Sequence, residues 1–208
     1  MNYKRSSLMQ QRMEKNRQMI LQAARELIME GGFKDAQIQA IADRAGISSG
    51  LVYRYFANKS QVLVEVLDKA IHVEVDILNQ IAAGELTATQ KLEKAVTTFV
   101  RRAMNSPQLA YSLMFEPVDI EVEHERFRSK QLIKQVIKEI LAQGKTSGEF
   151  DFEDLNTAAL CVVGAMTFVV VEPLNPSRSI MLDAPYKAYF VKQTAEFCLN
   201  AVRVHHSI

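Results

Sequence analysis

Ile38–Phe56 reads IQAIADRAGISSGLVYRYF. Ile38, Ile41, Ala42 and Ala45 recur at helical spacing, and Gly46 then supplies a turn conformation that residues with a Cβ resist. Ser48 and Ser49 can each cap a new helix, which crowds Tyr53, Arg54, Tyr55 and Phe56 together. A small Ala42 where two helices cross, a glycine turn, and Ile47 and Val52 locking one helix onto the other form the pattern of a helix-turn-helix. Ser49, Gly50, Tyr53 and Arg54 are then left on an uncovered face whose dimensions suit a major groove. Phe56 belongs to the core, whereas the Tyr53 hydroxyl can donate to a phosphate. Lys59 stands at the next helix start, where backbone N–H groups also favour an anion.

Upstream, helical periodicity runs from Gln11, with Ile20, Ala24, Leu27 and Ile28 on one face, and stops at Gly31-Gly32. Gln37 is a poor cap for the helix that follows. Asn58 and Gln61 have the spacing of a capping box for a helix reaching 83. Beyond Gly84, an amphipathic helix carries Leu92, Val96, Phe99, Val100 and Ala103. Pro107 opens a short helix that Pro117 closes, and a long charged helix is expected to end at Gly144. Glu153 and Asp154 suit the start of the apolar helix that follows. NPSRSIMLDAP is a linker, and 186–204 is a last helix. Without β-type alternation, and with only 5 Pro and 8 Gly in 208 residues, the chain reads as all-α.

The net charge of +1 conceals an asymmetry. Residues 1–59 hold 10 Lys+Arg against 5 Asp+Glu, and the remainder 15 against 19, so +5 meets −4. Either a basic module meets an anion, or a solvated face is unevenly charged. Lys4, Arg5 and Arg12 form either an arm along a nucleic-acid backbone or minor groove or a disordered tail. Cys161 and Cys198 lie apart with no CxxC or histidine partner, as free thiols of a reducing compartment would. No apolar h-region follows the basic N-terminus, and the run at 158–171 is shorter than the roughly 20 residues of a membrane span. A cytoplasmic protein without membrane contact is expected.

GGFKDAQIQAIADRAGISSGLVYRYFANKSQVLVEVL resembles the DNA-binding domain of the tetracycline-repressor (TetR) family over about residues 15–67. GGF, IAxxAGIS, xGxxYxYF and NKxxL are each weak signals but together specific. The resemblance implies an all-α homodimer with a three-helix helix-turn-helix DNA-binding domain at 1–57. A larger helical ligand-binding and dimerisation domain would occupy 58–208. By position it implies DNA contacts from Gln39 on the first helix and from Ser48, Ser49, Gly50 and Arg54 on the second. Tyr53, Tyr55 and Lys59 complete the set, with Tyr53 and Lys59 on phosphates. Gln37 departs from the family's usual threonine or serine. Arg54 either pairs bidentately with a guanine edge or contacts a phosphate.

The middle helices offer Phe99, Met104, Tyr111, Met114, Phe115, Met166 and Val169 as ligand-pocket lining, though Met and Phe at helical spacing are also ordinary core. Glu116 and Glu172 are carboxylates in apolar surroundings, suited either to a ligand or to a solvated helix end. Cys161, Gly164, Ala165, Phe168, Phe197 and Cys198 lie on the two most apolar helices, as either a dimer interface or an intrachain core. His72 and His124 have no metal-ligand spacing, and no cofactor is expected. The function implied is a dimeric repressor on a palindromic operator, its half-sites roughly 34–36 Å apart, released by a small molecule. Ligand-independent regulation or activation is the alternative. An enzyme is the remote one, since no nucleophile–base set, phosphate loop or metal motif appears.

Overall fold

No proline and no glycine precedes Gly31, and in the computed structural model helix α1 spans Asn2–Gly31. Residues 2–169, 171 and 183–204 are described by the structure. The backbone at Lys4, Arg5 and Arg12 is therefore helical rather than a disordered tail. There follow α2 (Ile38–Ala45), α3 (Ser49–Tyr53), α4 (Lys59–Ala83), α5 (Ala88–Asn105), α6 (Pro107–Met114), α7 (Ile120–Ser147), α8 (Leu155–Phe168) and α9 (Ala184–Asn200). Among the described residues there is no strand, only an isolated antiparallel bridge between Phe150 and Arg203. The all-α expectation holds. Most of the 175–185 linker, and Glu172 with it, lies outside the described residues.

Local chemistry sets most boundaries. Ser48 accepts from Leu51 N–H, Asp154 from Thr157 N–H and Asp183 from Tyr186 N–H, each capping the helix it precedes. Thr87 and Gln90 form a full capping box on α5. Asn58 caps α4 by accepting from Gln61 N–H, while the Gln61 side chain accepts from Ala57 N–H at 2.6 Å, one residue earlier than a standard box. Gln37 makes no side-chain cap, as expected; its amide donates to Lys34 C=O instead.

Gly144 does not end α7. The helix continues to Ser147 and closes at Gly148, whose φ of 78° is left-handed. A Cβ at Gly144 would overlap the Phe150 ring, so that glycine provides a close approach rather than a stop.

The Phe150 turn also positions Glu149 at the N-terminus of α5. Its carboxylate accepts from Ala88 and Thr89 N–H at 3.1 and 2.9 Å and from the Ser147 hydroxyl at 2.8 Å. Partial burial opposes the charge, but the Thr89, Ser147 and Ala88 donors outweigh it and hold the carboxyl down at about 2. Because the folded value lies below the ordinary 4.5, this stabilisation is complete above that pH and disappears as pH falls towards 2. In urea melts, Glu149→Gln is expected to be the weaker protein at pH 6, with the gap to wild type closing in that acid window. A gap independent of pH would contradict this.

Two apolar cores result. One joins Ile20, Ile28, Ile41, Val52 and Phe56 to the first half of α4 through Val62, Leu63, Val66 and Leu67. The other joins the second half of α4 (Leu78, Ile81, Ala82) to α5, α7, α8 and α9. Helix α6 is divided between them: Leu109 packs in the first core and its neighbour Ala110 in the second. Val122 of α7 also belongs to the first core. Fully buried Phe56 lies beneath the Arg17 guanidinium, 4.8 Å from the ring centroid, and Arg17 pairs with Glu65, tying α1 to α4.

Candidate nucleic-acid interface and ligand cavity

Gly46, at φ 67°, ends α2 in the left-handed conformation, and Ile47 N–H returns to Ala42 C=O at 3.0 Å. The chain thereby turns sharply enough for α3 to cross α2, with Ile41, Ala42 and Val52 sealed between them. Opposite that seam, Ser48, Gly50, Tyr53 and Arg54 are exposed, Tyr53 at 56%. Half-buried Ser49 donates to Gln39 Oε1 at 2.7 Å, and Gln39 donates to Asp43 Oδ1 at 2.8 Å. This polar chain fixes two side chains on the exposed surface at little further entropic cost. Lys59 lies half-buried at the first position of α4, beside its Asn58 cap.

Tyr55 is placed differently. It faces α1, where Asn16 Nδ2 donates to its hydroxyl at 3.0 Å and the ring packs on the first core. A phenol held there is not on the open face of α3, which corrects the expectation of a DNA contact.

A cavity of about 520 Å³ opens between the two cores, walled by α1, α4, α5, α6 and α7, with Thr167 of α8. Leu21, Val66, Ile71, Phe99, Leu109, Leu113, Met114 and Ile133 give it an apolar interior. Its basic side chains are Arg25, Lys69, Arg102, Arg126 and Lys130, against a single carboxylate, Glu74. Arg102 pairs with Glu74 at 2.8 Å and Lys69 donates to Gln18. Among the described residues Arg25 and Lys130 have no ion-pair partner, so the lining presents surplus positive charge.

Of the residues expected to line a pocket, Phe99 and Met114 do so. Met104 and Met166 are fully buried in the second core, and Tyr111, Phe115 and Val169 pack against it without reaching the cavity wall. Glu116 also points elsewhere. Its carboxylate accepts from Phe33 N–H at 2.8 Å and Lys34 N–H at 3.1 Å, bracing the turn after α1. Gly32 there has φ 89°, and a Cβ on it would sit 2.6 Å from Glu116 Oε2. The position thus needs glycine both for its backbone and for this approach.

Arg126 and Ser129 were the residues missed. They fall in phase with Val122, Ile133, Val136, Ile137 and Ile140 on the buried stripe of α7, so polar residues on a core face were a legible signal. Arg126 is 6% exposed and donates to the carbonyls of Leu113, Glu116 and Ser112 at 2.9, 2.8 and 3.3 Å, while pairing with Glu123. Burial lowers its pKa, with Glu123 and then Glu116 pulling the other way. Arg126 and Glu116 therefore link the cavity wall, the α6–α7 corner and the α1–α2 turn in one hydrogen-bonded series.

On α8 and α9, Cys161 and Gly164 are exposed, Ala165 is half-buried, and Phe168 and Phe197 stand 70% and 67% exposed. Among the described residues, nothing beyond its chain neighbours and the backbone of its own helix lies within 4 Å of where a Cβ on Gly164 would be. Cys198 departs from this face. It is buried in the chain's own second core, which pushes its thiol up to about 11. Among the described residues no helix is long and apolar enough to cross a membrane.

Residues 20–66 match the family model of bacterial regulatory proteins, tetR family, and residues 85–171 that of the tetracyclin repressor-like C-terminal domain. The fatty acid metabolism regulator protein of Bacillus subtilis is 26% identical over 137 residues, covering 62% of this chain and 68% of that one. The HTH-type transcriptional regulator BetI of Escherichia coli is 30% identical over 132 residues, 59% of this chain and 67% of BetI. Among solved structures, the transcriptional regulator FadR from Bacillus subtilis in complex with stearoyl-CoA superposes with a TM-score of 0.76. That pair is 21% identical, with 90% of this chain and 99% of that one covered. With a capped, glycine-turned helix pair at its N-terminus and both halves of the family matched, the chain belongs to the tetR family of bacterial regulatory proteins and is a DNA-binding regulator of transcription.

Proposed function

We propose that the protein is a homodimeric repressor that leaves a palindromic operator when a long-chain acyl-CoA enters the cavity between its cores. The observation carrying this reading is the cavity itself, an apolar interior whose lining includes Arg25 and Lys130, without ion-pair partners among the described residues, walled by the head helix α1 as well as by the body. Its volume suits a small-molecule site. An apolar bed beside surplus positive charge matches an acyl chain joined to a phosphate-bearing head. The bound stearoyl-CoA of the structurally similar FadR supports the same class. The protein acts by binding and not by turnover, in the cytoplasm.

Residues 1–57 serve as the DNA-reading unit and 58–208 as the effector and dimer unit, with α4 shared. Gln39, Ser48, Ser49, Gly50, Tyr53, Arg54 and Lys59 provide the DNA surface. The dimer forms through α8 and α9, where Leu160, Phe168, Tyr189 and Phe197 are large, apolar and exposed. Effector binding shifts a population. Filling the space between α1 and α6 moves the α6–α7 corner, and Glu116 carries that movement to the α1–α2 turn and the spacing of the two heads.

A duplex selected from a random pool serves as operator for the test. Stearoyl-CoA is expected to release it in gel shift and to raise the melting temperature, by about 2.7 kcal/mol of stabilisation at a hundredfold excess over Kd. Coenzyme A alone should do neither. Binding to DNA that ignores every acyl-CoA would reinstate a ligand-independent regulator.

A further inference from the structure

Ser129 is 2% exposed, lines the cavity, and its hydroxyl is the one buried side-chain polar atom without a hydrogen-bond partner among the described residues. A helical serine or threonine normally has a remedy, a bond back to the carbonyl four residues earlier. Thr146, Thr167 and Thr194 all take it. Ser129 does not. Buried hydroxyls are rarely left unpaired, because desolvation without compensation is unfavourable.

The surroundings identify the missing partner. Arg126, Ser129, Lys130 and Ile133 follow one another at helical spacing along the cavity side of α7. Lys130 is exposed and charged, while Ile133, Phe99 and Met114 belong to the apolar bed. Ser129 therefore stands where charged lining gives way to hydrocarbon. Arg126, one turn away, has committed donors to three carbonyls and a carboxylate, so it contributes mainly its positive field. That field favours an electron-rich oxygen over a second donor.

We infer that Ser129 donates a hydrogen bond to the carbonyl oxygen of the effector's acyl group, at the junction between its anionic head and its chain. Ser129 is thereby a specificity-determining residue for acyl over alkyl ligands. The inference rests on the proposed effector class and adds to it the group by which that class is recognised.

The test compares stearoyl-CoA with its S-octadecyl thioether, which keeps head and chain but lacks the carbonyl. Titration against the full-length protein should show the wild type preferring the thioester about five- to tenfold, the worth of one neutral hydrogen bond. In Ser129→Ala the two should bind alike. The readout is a ratio within each protein, so a general change in cavity shape cancels. Without ligand, Ser129→Ala should also melt a few degrees higher, having lost an unpaired buried hydroxyl. Equal binding of the two compounds by wild type, or a preference that survives Ser129→Ala, would overturn the Ser129 assignment while leaving the acyl-CoA reading intact. Binding of neither compound would overturn both.

Discussion

Arg54→Ala is expected to weaken binding to the selected operator by about thirtyfold or more in gel shift. The guanidinium is exposed at the end of α3, beside Tyr53 and clear of the α2–α3 seam. A bidentate contact to a guanine edge is worth about 1–3 kcal/mol, and a twofold dimer makes it twice, so about 2–6 kcal/mol is at stake. A phosphate contact instead would weaken all duplexes evenly and flatten the salt dependence. Comparing Arg54→Ala on selected and random DNA at two stated salt concentrations separates these roles. Unchanged affinity on both would remove α3 as the reading element. Stability should barely move, because the Arg54 side chain is exposed.

The second large effect lies far from DNA. Arg126→Met is expected to cost about 3 kcal/mol of folding stability, because three carbonyls lose a charged donor inside the protein. For a chain of this length that corresponds to roughly 10 °C in melting temperature. The carbonyls of Ser112, Leu113 and Glu116 would lose their donor inside the protein, and methionine offers none. Since Glu116 also braces Phe33 and Lys34, the damage should reach operator binding although α3 is untouched. Arg126→Lys keeps the charge but not the planar fork and should recover little. A loss below about 1 kcal/mol for Arg126→Met would mean the corner is held by packing alone.

The helix-turn-helix was readable because its determinants are local. A capping serine, a left-handed glycine and apolar residues three and four apart act within one turn of each other. Tyr55 was misplaced for a non-local reason: only the position of Asn16, 39 residues earlier, decides that its hydroxyl faces inward. The cavity was harder still. Six helices contribute its wall, and Met and Phe look alike in sequence whether they face a void, as Met114 does, or solid packing, as Met104 does. Glu116 lies between Phe115 and Pro117, which suggested a pocket carboxylate. Its partners are backbone amides, which leave no trace in side-chain pattern. Gly144 misled likewise, because a glycine cleared for an aromatic ring reads the same as one that stops a helix.

Leu109 and Ala110 are neighbours in sequence yet belong to different cores, and Val122 sides with the more distant one. The portable unit of DNA recognition is therefore not a contiguous stretch. A graft of the first 57 residues onto a foreign body would arrive without the Val62–Leu67 stretch of α4, Leu109 and Val122, leaving part of its underside open to solvent. Recombination within this family would then favour crossovers that carry α4 and α6 along, so that binding specificity and effector response travel together more often than apart.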